Sequence, residues 1–377
     1  MKVPNSSSKN SGSSKNNGSS KNNGASKNNG ASKNNGASKN TVVPAQKGNA
    51  STITSPSNTI EFSISSYNNL APFIRYFEKK GWDWSAIAAQ SQMPQLTPDS
   101  THHLVTKTLM SFISMMAKSY DENLGFNVAK QLTLESLPHS IAHAVKNSDN
   151  LSAFLSALMP AFQTLSNHVV VWVENIEGRY FLCHRGNFPP STAGQFHVEQ
   201  YRTLSMIRLL QSFIEPDWVP DILWMNNNSV TNQKTFKSYV KCQSNIYTNK
   251  HFGAIALPDN FVYRTSIKTE TNHTLDLTKI ISSYALLPQF SIRWFSTLIN
   301  MSTRTVQRYL DKQNVKFTEI KDQIRHNHAI TLLAQDTDRS ISDIAFSCGY
   351  TDIANFNRAF KRWEQVTAAK YRERCHS

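Results

Sequence analysis

Residues Ser340 to Arg372 read SISDIAFSCGYTDIANFNRAFKRWEQVTAAKYR. Two short amphipathic segments flank Cys348-Gly349-Tyr350-Thr351. The first, Ile341 to Ser347, follows Ser340 and carries Ile344 and Ala345 as its packing pair. Asp352 stands where a carboxylate accepts from the free amides of a first helical turn. Gly349 supplies the positive φ that ends the preceding helix. Helix, glycine turn, helix is the spacing of a helix-turn-helix.

At about 100° per residue, Phe356, Phe360, Trp363, Ala359 and Ile353 share one apolar stripe, the expected core face. Ala354, Arg358, Lys361 and Arg362 lie opposite, flanked by Asn355 and Asn357. A small residue, amides and cations on an outer face suit insertion in a major groove. There Arg and Asn reach base edges and Lys or Arg neutralises phosphates. A solvated basic face on a surface helix is the plainer alternative.

The pattern occurs twice. Phe295-Ser296 with Asn300 parallels Ile344-Ala345 with Gly349, and Asn is the next-best residue for a left-handed turn. Ser302 then caps a helix whose inner side carries Val306 and Leu310. Counting from Val306 as from Phe356, Arg304 matches Ala354, Thr305 matches Asn355, Gln307 matches Asn357 and Arg308 matches Arg358. Phe317 to Gln335 between them reads as one helix with Ile320, Ile324, Leu332 and Leu333 on its packing side.

From about Ser291 to Arg372 the chain closely resembles the DNA-binding domain of AraC/XylS transcription regulators. The residues that carry the resemblance are Met301-Ser302, Arg304-Thr305-Val306-Gln307-Arg308, Leu310, Ile344-Ala345, Gly349-Tyr350, Phe356-Asn357-Arg358-Ala359-Phe360-Lys361 and Tyr371-Arg372. The resemblance implies two helix-turn-helix units joined by a helix. It implies base contacts from Arg304, Gln307, Arg308, Asn355 and Arg358. Ser296 and Asn300 replace the usual Ala and Gly of the first unit, Asp311 puts an acid on its outer face, and Thr367-Ala368 replaces the usual Ser-Pro. The first unit is therefore expected to be the less stable or the weaker on DNA.

Elsewhere the chain divides by composition. Of the net charge of +14 over 377 residues, residues 1–59 carry +8, residues 60–274 carry +1 and residues 275–377 carry +5. Basic ends around a near-neutral middle fit a polyanionic partner, although a charge run is often merely solvated. Residues 7–40 repeat in sixes, SSKNNG and ASKNNG, with Ala as their only apolar residue. Such a segment cannot bury enough surface to offset chain entropy, so residues 1–58 are expected to be a disordered tail.

Residues 59–270 are expected to form an α+β or α/β effector-binding and dimerisation domain, with Thr265 to Thr274 as linker, and residues 271–377 an all-α DNA-binding domain. In the middle unit, helices are expected at Leu70–Lys80, Trp84–Ser91, His103–Tyr120, Leu151–Leu165 and Phe196–Ile214. His168 to Cys183 reads as a hairpin, and strands are expected near Trp224 and Ala254. In element order, and in Tyr201, Leu204, Leu210, Val219-Pro220, Trp224 and Phe252-Gly253-Ala254, this unit resembles the arabinose-binding-like sensing domain of one branch of the family. That implies a small-molecule effector and a homodimer. Trp172, Tyr180, Trp218 and Trp224 are the candidate pocket aromatics, against the plainer reading of aromatic core.

Leu182-Cys183-His184-Arg185 echoes the Cys-His-Arg of DNA alkyltransferases, so a repair or regulatory protein using Cys183 is the alternative function. His139 and His143 sit one helical turn apart, but the HExxH glutamate is absent. Cys183, Cys242, Cys348 and Cys375 are too scattered for a disulfide framework. Neither signal peptide nor membrane span is expected.

Expected partners are double-stranded promoter DNA, RNA polymerase, an effector and a second copy of the chain. Activation is within the expected role, and the cytoplasmic nucleoid is the expected location. No cofactor, metal or catalysis is expected.

Overall fold

The computed structural model describes residues 62–94, 103–226, 236–238, 245–264, 277–335 and 338–376. The expected tail and the expected linker at 265–274 lie outside them. Strand β1 (Ile64–Ser66) pairs antiparallel with β2 (His103–Val105), with Ser65 opposite Leu104. The expected helix from His103 therefore begins three residues later. Leu104 and Val105 are both buried, on opposite faces of the ribbon and in different cores, and Thr106 opens helix α3 (Thr106–Tyr120).

Helix α1 (Ala71–Lys80) ends at Gly81, φ 68°, as its glycine predicts. It packs with α2 (Ser85–Gln90) and α3 around Phe73, Phe77, Phe112 and Met116. Then follow α4 (Leu124–Lys130), α5 (His139–Lys146) and α6 (Leu151–Leu165). The sequence reading passed over α4, whose seven residues are too few to establish a period.

The hairpin forms as expected, β3 (Val169–Ile176) against β4 (Arg179–Gly186), with Trp172 opposite Cys183. Helix α7 (Gln195–Gln211) and strands β5 (Ile222–Trp224), β6 (Asn245–Tyr247) and β7 (Gly253–Ala256) complete a mixed sheet in the order β3-β4-β7-β5-β6. Only the β5–β6 pair is parallel, which makes this an α+β unit. A second core, around Phe154, Leu158, Leu182, Ile207 and Ile255, lies between the sheet and helices α6 and α7.

Helix α7 also buries Glu199, Arg202 and Thr203. Arg202 Nε donates to His184 Nδ1 at 3.2 Å, and Thr203 Oγ1 lies 3.2 Å from His184 Nε2. Burial and the nearby Arg202 charge push His184 well below its ordinary value and His168 down to about 4. Burial takes His197 to about 4 as well.

The C-terminal part is all helical: α8 (Leu277–Tyr284), α9 (Ile292–Leu298), α10 (Thr303–Asp311), α11 (Phe317–Gln335), α12 (Ile341–Ser347), α13 (Ile353–Glu364) and α14 (Ala368–His376). Its first core holds Phe295, Val306, Leu310 and Phe317, and takes in Phe62 and Val105 from the ribbon side. The Val105 amide donates to Tyr284 Oη and the His103 amide to Ser283 Oγ, both at 3.0 Å. The second core groups Ala329, Leu333, Ile344, Phe356 and Phe360. The two halves of α11 thus serve different cores, with Ile320 and Ile324 in the first and Leu332 in the fringe of the second.

Ile353, expected on the core stripe, is 42% exposed. It is the first residue of α13, where the chain is still entering from the turn. Ser296 is buried where the second unit has Ala345, and its hydroxyl finds no hydrogen-bond partner. Gly349, φ 78°, lies so close to its surroundings that an added Cβ would meet Leu286 O at 2.5 Å.

Ser296→Ala should therefore raise stability by about 1 kcal/mol, since it removes an unpaired buried hydroxyl. Gly349→Ala should lower stability by at least about 1 kcal/mol through φ strain and overlap. Urea unfolding of the two variants checks both signs. For the histidines, the folded pKa is depressed, so their contribution to stability is complete above about pH 6.5 and is lost as pH falls toward about 4. A shift from 6.5 to about 4 corresponds to about 3 kcal/mol for His168. His168→Gln should flatten the fall in thermal midpoint between pH 6.5 and 4.

Candidate nucleic-acid interface

The two helix-turn-helix units are built from the same backbone bonds. After α9, the Ile299, Asn300 and Met301 amides donate to Phe295, Thr297 and Ser296 carbonyls at 3.1, 3.1 and 2.8 Å. After α12, the Cys348, Gly349 and Tyr350 amides donate to Ile344, Phe346 and Ala345 at 3.0, 2.9 and 3.1 Å. This is a Schellman closure around a left-handed residue, Asn300 at φ 56° and Gly349 at φ 78°. The second turn then spends one more residue, Thr351, before its cap.

Each outer helix begins on a side-chain cap. Ser302 Oγ accepts from the Thr305 amide at 3.1 Å and Asp352 Oδ1 from the Asn355 amide at 2.7 Å. The third helical residue also meets its cap through its side chain: Thr305 Oγ1 lies 2.8 Å from Ser302 Oγ, and Asn355 Nδ2 donates to Asp352 Oδ2. These local bonds fix where each helix starts and which face it turns outward. Among the nine residues expected to contact DNA, Thr305 alone is half-buried. Arg304, Gln307, Arg308, Ala354, Asn355, Arg358, Lys361 and Arg362 are exposed.

Their partners separate the two helices. On α13, Arg358 Nη2 donates to Asn355 Oδ1 at 2.5 Å, which makes a relay Asp352–Asn355–Arg358. Arg362 Nη2 pairs with Asp322 Oδ2 of α11 at 2.6 Å. On α10, Arg304, Gln307 and Arg308 have no side-chain partner among the described residues. Asp311 is exposed on the same helix, as the sequence places it.

Arg325 is the residue that sequence reasoning missed. It is buried on α11, one and two turns before the equally buried Ala329 and Leu333. Its Nε donates to Ala285 O at 2.9 Å and its Nη2 to Leu287 O at 3.1 Å, while its guanidinium lies 4.9 Å over the Tyr350 ring. The i, i+4, i+8 series 325, 329, 333 was the available signal. Near the far end of α13, His326 Nε2 lies 2.6 Å from Glu364 Oε1.

The alternative based on Cys183 does not survive the geometry. Cys183 is buried, and burial with the Glu174 charge pushes its thiol up to about 12. His184 follows it in a strand, so its ring faces the other side of the sheet, toward Arg202 and Thr203. A thiolate activated by that histidine is not formed there. His139 and His143 have ring centroids 6.3 Å apart on α5. Among the described residues no group of three His, Cys, Asp or Glu is placed to hold a metal.

The four candidate pocket aromatics do not converge. Trp172 and Trp224 pack with Phe181 and Phe252 on one sheet face. Tyr180 meets Phe261 and Tyr263, and Trp218 edges the core on the other face. A cavity of this region lies elsewhere, where α1, α3, α5, α6 and α7 meet.

Comparison with known proteins bears on residues 295–374, which match the family described as a helix-turn-helix domain. The HTH-type transcriptional regulator VqsM of Pseudomonas aeruginosa is 36% identical over 81 residues, 21% of this chain and 24% of that one. The uncharacterized HTH-type transcriptional regulator Rv1395 of Mycobacterium tuberculosis is 29% identical over 76 residues, 20% and 22% of the respective chains. The chain thus spans about a quarter of the length of these relatives. The crystal structure of transcriptional regulator CdpR from Pseudomonas aeruginosa aligns over 81% of this chain and 98% of its own at 15% identity, with a TM-score of 0.38. With its two capped turns and the connecting helix between them, the chain carries at its C-terminus a helix-turn-helix domain of the AraC type.

Proposed function

We propose that the chain is a sequence-specific DNA-binding transcription regulator. Helices α10 and α13 enter successive major grooves of promoter DNA, and a small molecule held by residues 59–270 modulates the activity. The observation that carries this reading is the duplication: different residues build the same closed turn twice, and each turn presents guanidinium and amide groups outward. A bland basic surface has no reason to repeat its caps. The 19 residues of α11 give a connector of about 28 Å, commensurate with the ~34 Å between grooves one DNA turn apart. RNA polymerase and a second copy of the chain are the further partners that this reading calls for.

Within it the residues divide by role. Arg358, held by Asn355, is aimed before DNA arrives, which suits a bidentate contact to guanine. Arg304, Gln307 and Arg308 adjust on binding. Lys361, a point charge without a fixed partner among the described residues, neutralises phosphate. Arg362 is a positioning residue that ties α13 to α11. Among the described residues no helix is long and apolar enough to cross a membrane.

Binding of the full chain to a randomised duplex pool, followed by sequencing, tests the reading; absence of any enriched sequence would overturn it. On the enriched site, Arg358→Ala should cost about 1–3 kcal/mol and relax preference at one base pair. Lys361→Ala should weaken all sequences about equally and reduce the salt slope by about 1. Unchanged sequence preference in Arg358→Ala would remove α13 from the groove. Cys183→Ala should leave DNA affinity unchanged, measured by fluorescence anisotropy; a loss of affinity beyond the loss of folded protein would reinstate a role for the thiol.

A further inference from the structure

Helix α7 carries a cation, Arg202, into the interior. Arg202 is 7% exposed. Its Nε is engaged by His184, and among the described residues no carboxylate comes within ion-pair distance of its guanidinium. Glu199, one turn earlier, is close enough to be felt electrostatically, but it accepts from the Asn226 amide at 3.1 Å and is not part of the cavity wall. A buried guanidinium left in this state is costly, and folds retain such groups when an anion answers them.

Arg202 lines a cavity of about 90 Å³ at the seam of the two cores of the α+β unit. Phe73, Leu109 and Met110 come from one core, and Ile141, Leu165 and Leu209 from the other. The polar wall is Ser65, Asn69, Thr106, Ser166, His168 and Ser205 beside Arg202. Ser65 Oγ lies 3.1 Å from Thr106 Oγ1, which lies 3.3 Å from His168 Nδ1. His168 is uncharged at neutral pH, so it neither competes for an anion nor adds charge. The cavity therefore offers one fixed positive charge, hydroxyl and imidazole hydrogen-bonding groups, and an otherwise apolar wall.

We propose that this cavity is the binding site for a small monocarboxylate with an apolar body, the carboxylate pairing with Arg202 and the body filling the seam. The proposal rests on the effector reading given above and names the chemical class of the effector. The site also has a route to the DNA-binding part. Thr106 follows Val105, whose amide is held by Tyr284 of α8. A ligand that shifts Thr106 or Ser65 acts one residue from that attachment.

Calorimetry and thermal-shift measurements on the full chain, with hexanoate and phenylacetate as probes, test this against hexanol and hexylammonium. The carboxylates should bind at least about 10-fold more tightly than the alcohol and raise the thermal midpoint by mass action, while the ammonium ion should not bind. Arg202→Gln should bring carboxylate affinity down to that of hexanol, and Arg202→Lys should restore part of it. Should Arg202→Gln fail to fold, Ile141→Trp, which fills the seam from the opposite wall, should abolish binding of the carboxylates. Equal affinity for hexanoate and hexanol, or carboxylate binding that survives Ile141→Trp, overturns the site. DNA affinity is measured on the same samples. Carboxylate binding without any change in DNA affinity leaves the site standing and removes its role as effector. Failure of the carboxylates to bind a chain that still selects a DNA sequence removes the site and leaves the regulator.

Discussion

The arrangement of the helical region depends on one buried guanidinium. A helix C-terminus leaves carbonyl groups unsatisfied, and α8 leaves Ala285 and Leu287 facing the middle of α11. Arg325 answers both and lays its plane over Tyr350 in the turn of the second unit. Three elements far apart in sequence are thereby fixed at one point: the helix that opens the region, the connector, and the turn that aims α13. The positive charge is balanced by the negative ends of carbonyl dipoles and an aromatic face, so the site stays apolar enough to pack. A glycine is needed beside it, because any Cβ at position 349 would fall 2.9 Å from the guanidinium.

Around that point the two reading helices are built with different stiffness. The second is braced by Asp352–Asn355–Arg358, by Arg362–Asp322 and by His326–Glu364. The first leaves Arg304, Gln307 and Arg308 without a side-chain partner among the described residues and buries a hydroxyl, Ser296, that its counterpart lacks. A braced helix suits contacts that require fixed geometry, and an adaptable one suits contacts that vary among sites.

What was legible in the chain was local chemistry. Ser302, Asp352, Asn300 and Gly349 act on backbone groups within five residues, so their pattern announces both turns and both helix starts. The bounds of α12, Ile341 to Ser347, follow from the same reasoning. What was not legible came from distant pairs. Asp322 and Arg362 are 40 residues apart, and Arg325 reaches Ala285 across the same interval. Three-residue strands such as β2 and β6 exist only because a partner edge is present. The aromatic residues chosen as pocket lining failed to converge for a related reason. Aromatic content marks burial, but only the sheet register decides that Trp172 and Trp224 share a face while Tyr180 belongs to another. Arg202 gave no signal either, since a single Arg within an amphipathic helix reads as a surface residue until the fold encloses it.

The attachment of α8 to the β1–β2 ribbon has a consequence for how the chain can be divided. Phe62 and Val105 are buried among Leu277, Ile280 and Phe295, and two amides of the ribbon donate to Ser283 and Tyr284. Severing the chain between residues 264 and 277 would expose apolar surface on both pieces and leave ribbon amides bare at an open sheet edge. Each fragment would lose its part of the core shared between the ribbon and α8, and the ribbon edge would be free to recruit strands from other molecules. The ribbon and α8 thus make the boundary between the two regions a shared interior rather than a free hinge.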